Sequence, residues 1–319
     1  MTARINTIGV IIILFTFTLN VYGQGEAPQA PKGYLSNTTL KISYALGRLK
    51  LIDKKPELPS NIKSYKNIIY SVTENDTLRL DIYRHKEIKG LRPLLIFVHG
   101  GAWRKGKKED YLPYIIPFSK KGYVCASISY SLSPKTHFPQ AVSDVKNSVN
   151  WLLENANEYM IDTGKVALIG GSAGGHLSLM TAYAYKGSVK PVKVVVDIYG
   201  PVDLTTEFAR GNKSVIEFLG EDFTGNERLY KEASPINYIT SDDPPTLIFH
   251  GTIDDVVPVS QSDMLKNALD AKGVINEYHR LKGWPHTMDL SKEVNDYMLY
   301  YMGDFFDRYL TPNKHQNTL

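Results

Sequence analysis

Five stretches, "RPLLIFVHGG", "YVCASISY", "KVALIGG", "PVKVVVDIYG" and "PPTLIFHG", are apolar almost without alternation. A strand that shows no polar face must be covered on both faces, which is the situation of a buried parallel strand. Segments with helical spacing lie between and after these runs. "AVSDVKNSVNWLLENA" places Val142, Val145, Val149 and Leu152 on one face, and "SAGGHLSLMTAYAY", "SQSDMLKNALDAKG" and "VNDYMLYYMGDFFDRYL" follow. Gly273 suits a helix C-cap. Strand and helix in alternation imply an α/β fold, with a mostly parallel central sheet and helices on both faces. "KNIIYSV" and "TLRLDIY", joined by "TEND", read as a hairpin at one edge of that sheet, and the more polar "INEYHRL" as a last strand.

The 319 residues suffice for one such domain. The formal charge of +4 is small and no long Lys/Arg run occurs, so a nucleic-acid partner is not indicated. Cys125 is the only cysteine, which excludes an intramolecular disulfide, and its apolar neighbours make it a buried strand residue. At the N-terminus, Arg4 precedes an apolar run from about Ile8 to Leu19 and small residues at Val21 and Gly23. That layout reads as a cleavable signal peptide over 1–23; the apolar run is short for a membrane span. The expected plan is therefore an exported, secreted or periplasmic chain with a leader over 24–66, a catalytic domain over 67–312 and a tail over 313–319. No membrane span is expected in the mature chain.

Chemistry is concentrated in "VALIGGSAGGHLSL". Gly170-Gly171-Ser172-Ala173-Gly174 is G-x-S-x-G at the junction of a buried strand and a helix. A serine there sits on a strained turn that lifts its hydroxyl clear of the sheet, and its neighbours must lack bulk. The glycines do not fit a P-loop or a dinucleotide fingerprint. A nucleophilic serine needs a base, and the base an orienting acid. Among the eight histidines, His286 in "LKGWPHTMD" lies on a loop between the last strand and the last helix, where a side chain reaches the sheet's carboxyl edge. His99 and His250 end strands just before glycine and are better placed to organise loops. "LIFHGTIDDVVP" offers Asp254 and Asp255 as the acid. Glycines in "FVHGGAWRKG" expose backbone N–H groups to a developing oxyanion, and the N–H of Ala173 would be a further donor.

These landmarks, "LRLDIY", "LIFVHGGAW", "FPQAVSDV", "IGGSAGG", "PPTLIFHGTIDDVVP" and "WPHTMD", resemble the α/β-hydrolase carboxylesterases over about residues 67–310. The chain is most similar to the bacterial feruloyl and acetyl-xylan esterase branch, and more distantly to the catalytic domain of the prolyl oligopeptidase family. The resemblance implies a catalytic triad in the chain order Ser172, Asp254, His286, with Asp255 a neighbour, and oxyanion donors at Gly101, Ala102 and Ala173. Ala102 departs from the HGGG of the hormone-sensitive-lipase branch; alanine keeps the N–H but has less backbone freedom. The run "DDVVP" also does not fit that branch.

Trp103 and Trp284 flank the expected oxyanion and base positions and are expected to line a substrate pocket, whereas Trp151 reads as core. The long insert 201–243 reads either as a roof over the site or as a surface excursion. No His/Cys/Asp cluster has metal-ligand spacing, so neither metal nor cofactor is implied. The expected activity is that of a serine carboxylesterase on short-acyl or aromatic-acyl esters, among them acetyl or feruloyl groups on plant polysaccharides. An amide or peptide hydrolase on the same fold is the first rival, although residues 24–66 are too few for a propeller domain. A catalytically silent binding protein of this fold is the second rival, and the retained Ser/Asp/His set argues against it.

Overall fold

A computed structural model describes residues 27–73, 76–184 and 191–311. The expected signal peptide, the tail, and the middle of the "TEND" turn lie outside the described residues. All the anticipated strands form: β1 (Ile62–Val72), β2 (Thr77–His85), β3 (Arg92–Val98), β4 (Val124–Ile128), β5 (Ile161–Gly171), β6 (Val192–Ile198), β7 (Thr246–Gly251) and β8 (Asn276–Leu281). They make one eight-stranded sheet in the order β1-β2-β4-β3-β5-β6-β7-β8. β1 and β2 pair antiparallel, β2 pairs antiparallel with β4, and every later pairing is parallel. β3, β4, β6 and β7 are buried almost throughout, and β5 from Val166 onward, as their unbroken apolar runs require. β8, on the edge, is half-buried and correspondingly polar.

Two apolar clusters cover the two faces of the sheet. One contains Leu94, Ile96, Val145, Val149, Leu177 and the insert residues Val215 and Phe218. The other contains Leu95, Phe97, Tyr114, Val196, Phe249 and the last helix, Lys292–Tyr309. Trp151 packs half-buried against the first cluster, at its margin rather than at its centre. Cys125 is fully buried in β4, and burial pushes its thiol up to about 12, which makes it inert at neutral pH.

The chain departs from the expectations in two places. β1 starts at Ile62 rather than at Lys66, because its polar first half pairs with β2 through a register irregularity between Tyr65 and Ile68. The helix Leu112–Lys120 has no signature in the sequence, since Pro113 and Pro117 interrupt its pattern. Pro113 sits in the first turn, where a missing N–H costs nothing.

Candidate active site

Ser172 stands at the carboxyl end of β5 with φ 54° and ψ −124°, a conformation that a side chain rarely adopts. Its N–H donates to the Ile198 carbonyl at 2.8 Å. The flanking glycines are required by contact. A Cβ on Gly170 would lie 2.2 Å from the Gly174 carbonyl oxygen, and one on Gly174 would lie 2.0 Å from that of Val98. The serine is thus held out from the sheet by backbone packed on backbone.

His286 lies on the loop after β8. Its Nε2 is 3.1 Å from the Ser172 Oγ, and its Nδ1 is 2.7 Å from the Asp254 Oδ2. Asp254, on the loop after β7, has no exposed side-chain surface. Its Oδ1 accepts the N–H groups of Val256 and Val257, each at 2.9 Å. Burial works to raise its carboxyl, but the hydrogen bonds from His250 and His286 prevail and hold it well below the usual carboxylate range. It therefore stays ionised across the whole working range of an enzyme. Asp255, by contrast, faces outward and accepts from the Asn37 side chain at 2.9 Å.

His250 also approaches Asp254, with Nε2 3.1 Å from Oδ2 and 2.9 Å from the Val257 carbonyl. Both of these partners only accept, so Nε2 carries the proton. Its Nδ1 then accepts from the Ser262 hydroxyl at 2.7 Å. The expectation that His250 organises a loop is met by a specific contact: it fixes the carboxylate that faces His286.

The loop after β3 takes left-handed backbone at Gly101 (φ 112°), Ala102 (φ 55°) and Trp103 (φ 55°). Arg104 and Lys105 donate to the Gly101 carbonyl, and Ser133 donates to that of Trp103. Among the described residues, the N–H groups of Gly101 and Ala102 have no protein acceptor. The N–H of Ala173 opens its helix and is likewise unused by it. Gly100 packs so closely on the Gly171 carbonyl, 2.7 Å from an added Cβ, that the loop and the serine turn form one surface.

Gly101, Ala102, Ser172 and His286 open onto a cavity of about 700 Å³. Its walls include Tyr111, Tyr114, Tyr199 and Asp289, all buried. The Tyr199 and Tyr114 hydroxyls both bond to Asp289, the latter at 3.4 Å. Burial pushes the Asp289 carboxyl above its usual range, against the hydrogen bond from Tyr199. The Tyr199 ring also lies 4.5 Å from that of His286. Among the described residues no cluster of His, Cys, Asp or Glu is placed to hold a metal ion.

Neither tryptophan lines the cavity. Trp103 is 4% exposed and turns away from it, stacked on Phe218 at 4.5 Å, with its indole N–H donated to His176 Nδ1 at 3.3 Å. His176 in turn donates through Nε2 to the Ala233 carbonyl at 2.8 Å, and burial lowers its pKa to about 4. Trp284 is 1% exposed, and its indole donates to the Pro31 carbonyl at 3.0 Å. Both rings are too apolar to leave in water and each N–H found an acceptor within the fold, so both became joints in the scaffold. The insert contributes no residue to the cavity wall; it packs on Trp103 and His137 instead. Of the wall residues missed by sequence reasoning, Asp289 had a signal in its position three after His286, and Tyr199 in its place at the end of β6. Ile52 and Lys54, which also line the cavity, had none.

A family model named BD-FAE matches residues 80–269, well over half of the chain. The chain belongs to the BD-FAE family. The match takes in Ser172 and Asp254 and stops short of His286. Esterase LipQ of Mycobacterium tuberculosis is 33% identical over 238 residues, 69% of this chain and 56% of that protein. Esterase LipC of the same organism is 32% identical over 230 residues, 66% of this chain and 57% of that one. The BD-FAE-family chain thus spans a little over half the length of these relatives. Among solved structures, a truncated carbohydrate esterase from gut microbiota shares 27% identity at a TM-score of 0.67, covering 80% of this chain and 97% of that one. Esterase 2 of Thermogutta terrifontis, at 24% identity and a TM-score of 0.67, covers 82% of this chain and 100% of that one and shares the α/β-hydrolase fold.

Proposed function

We propose that this protein is a serine carboxylic ester hydrolase. The observation that carries the reading is the continuous contact from Ser172 Oγ to His286 Nε2 and from His286 Nδ1 to Asp254, on a serine whose backbone is held in a strained turn. Ser172 Oγ attacks the acyl carbonyl while His286 Nε2 takes its proton. Asp254 keeps Nδ1 protonated and offsets the charge of the imidazolium. The N–H groups of Ala173, Ala102 and Gly101 meet the oxyanion. The imidazolium then protonates the leaving alkoxide, and water, activated by the same imidazole, releases the acid from the acyl-enzyme. Ser172→Ala should fold normally and lose at least about a thousandfold in kcat. An organophosphate fluoride should label Ser172; a label elsewhere would sink the assignment.

The substrates proposed are short-acyl or aromatic-acyl esters, including acetyl and feruloyl groups on plant polysaccharides. The family match and the gut carbohydrate esterase support this choice. Aryl acetates and methyl ferulate should be turned over and a Gly-Pro anilide should not. A larger kcat/KM for the anilide would replace the esterase reading with the peptidase one. Export is proposed on the pattern of residues 1–23 alone, and the N-terminus of protein made in a secreting host tests it.

A further inference from the structure

The segment 27–61 precedes β1 and lies outside the family match, yet it is bound to the histidine loop at both of that loop's ends. Before His286, the Tyr34 N–H donates to the Gly283 carbonyl at 2.8 Å, and the Trp284 indole donates to the Pro31 carbonyl at 3.0 Å. The Tyr34 ring meets that indole edge-on at 5.5 Å. Gly33 lies so close that a Cβ there would stand 2.0 Å from the Lys282 carbonyl oxygen and within 2.8 Å of Gly283. After His286, Ile52 donates to the Leu290 carbonyl at 2.9 Å, Lys292 donates to that of Lys50 at 2.8 Å, and Leu51 bridges Ser291. Between these two seams, Asn37 ties the helix Asn37–Ala45 to Asp255, the neighbour of Asp254. From the same segment Ile52 and Lys54 face the cavity that Ser172 opens onto.

We infer that residues 27–61 are a strap belonging to the active site: they position the histidine loop, and Ile52 and Lys54 determine which ester groups the cavity admits. The inference rests on the esterase reading of Ser172, His286 and Asp254. Its logic is geometric. An imidazole base works only within hydrogen-bond reach of its serine, and a misplacement of about 1 Å can cost on the order of a hundredfold. The loop that carries His286 has no regular structure until the short turn at Met288–Leu290, so its path is set by what it touches. Before the histidine the strap shares the work with the loop after β7, where Ile253 donates to the Trp284 carbonyl at 3.1 Å and Thr252 Oγ1 accepts from the Gly283 N–H at 2.8 Å; after the histidine, Ile52 and Lys50 of the strap supply backbone partners at Leu290 and Lys292.

The test uses the full chain with each variant. Gly33→Val forces the first seam apart, and Tyr34→Ala, a milder change, removes the ring that supports Trp284. Each is assayed on 4-nitrophenyl acetate, with kcat counted per site titrated by an organophosphate so that unfolded chains do not contribute. The expected results are a fall of at least about tenfold in kcat per site for Gly33→Val and a smaller fall for Tyr34→Ala. Wild-type kcat per site in both, with only the melting temperature lowered, would overturn the positioning role. Ile52→Trp tests the wall. Its kcat/KM for methyl ferulate should drop at least about tenfold more than for 4-nitrophenyl acetate, since a larger side chain consumes cavity space and the larger acyl group loses it first. An unchanged ratio would overturn the specificity role. A wild type without esterase activity would overturn both readings, whereas an active wild type with unaltered variants would overturn the strap alone.

Discussion

The serine turn and the histidine loop place two groups 3.1 Å apart by opposite means. The turn is fixed through its own glycines, which let it pack on itself, on β3 and on the end of β6. Gly170, Gly174 and Gly175 admit contacts that any Cβ would break, and all of them lie within three residues of Ser172. The loop is fixed from outside, by Thr252 and Ile253 after β7 and by residues around 31–34 and 50–52 that are more than two hundred positions away in the chain. A turn whose close contacts depend on its own glycines can be read from a short motif and is intolerant of any local change. The contacts that a distant segment makes with a loop leave no trace in the loop's own sequence, and the loop can be retuned by changes far from it.

The comparison breaks most sharply at the carboxylate that the loop faces. Asp254→Asn should lower kcat by a hundredfold or more, because an amide cannot keep His286 in the required tautomer. Asp255→Asn, one position on but hydrogen-bonded only to Asn37 among the described residues, should stay within about threefold of wild type. Steady-state kinetics on an aryl acetate decide, and the reverse ranking would move the orienting role to Asp255.

Next in size, Gly174→Ala should unfold or destabilise the protein by about 1–3 kcal/mol in a urea titration, since the new methyl meets backbone at β3 that cannot move aside. If it is neutral, the turn is less tightly fixed than its glycines imply.

A third test concerns His250, which serves the loop side without touching Ser172. His250→Gln keeps a donor toward Asp254 and should retain activity within about tenfold, while His250→Ala should lose more. The acidic limb of the kcat/KM profile should also move up in pH in His250→Ala. A carboxylate relieved of one donor attracts the His286 proton more strongly, and a purely packing role for His250 would leave the limb in place.

The smallest effect lies behind the serine turn. Burial pushes the Asp197 carboxyl up to about 7, against the pull of His250 and the Gly200 N–H. A carboxyl raised in the folded state favours folding fully below its ordinary pKa, and that contribution is lost as pH rises through about 7. Asp197→Asn removes the titration. Wild-type melting temperature should therefore fall relative to the variant's between roughly pH 4 and 7 and run parallel above that; parallel curves across the whole range would show that Asp197 is already ionised in the fold.

The same division explains what was legible in the sequence. The buried strands could be read because a strand covered on both faces has no choice but to be apolar. Ser172, Asp254 and His286 could be placed because each sits at a strand end marked by its own glycines or loop. The turn after β3, proposed to meet the oxyanion, could be located through Gly100 and Gly101, although the left-handed backbone at Ala102 and Trp103 could not. What escaped was everything decided by packing between distant segments. Two tryptophans beside the site were read as pocket walls, and the chain used both as buried fasteners. The helix Leu112–Lys120, which brings Tyr114 to the cavity, was hidden by its prolines. Ile52 and Lys54 belong to a stretch without periodicity, and only their docking on the histidine loop gives them a place.

Those fasteners have an optical consequence. The protein has three tryptophans, and each occupies a different surrounding. Trp284 is sealed beneath the Pro31 carbonyl and Tyr34, Trp103 is sealed against Phe218, and Trp151 lies half-buried near Tyr159. Indole emission shifts to the red when water reaches the ring. With Trp151 replaced by phenylalanine, and then one of the other two as well, the remaining indole becomes a colour gauge for one joint: strap on histidine loop, or insert on the loop after β3. Loosening of either joint under denaturant could then be followed by eye of the spectrometer alone, with no substrate present and before any loss of turnover is measured.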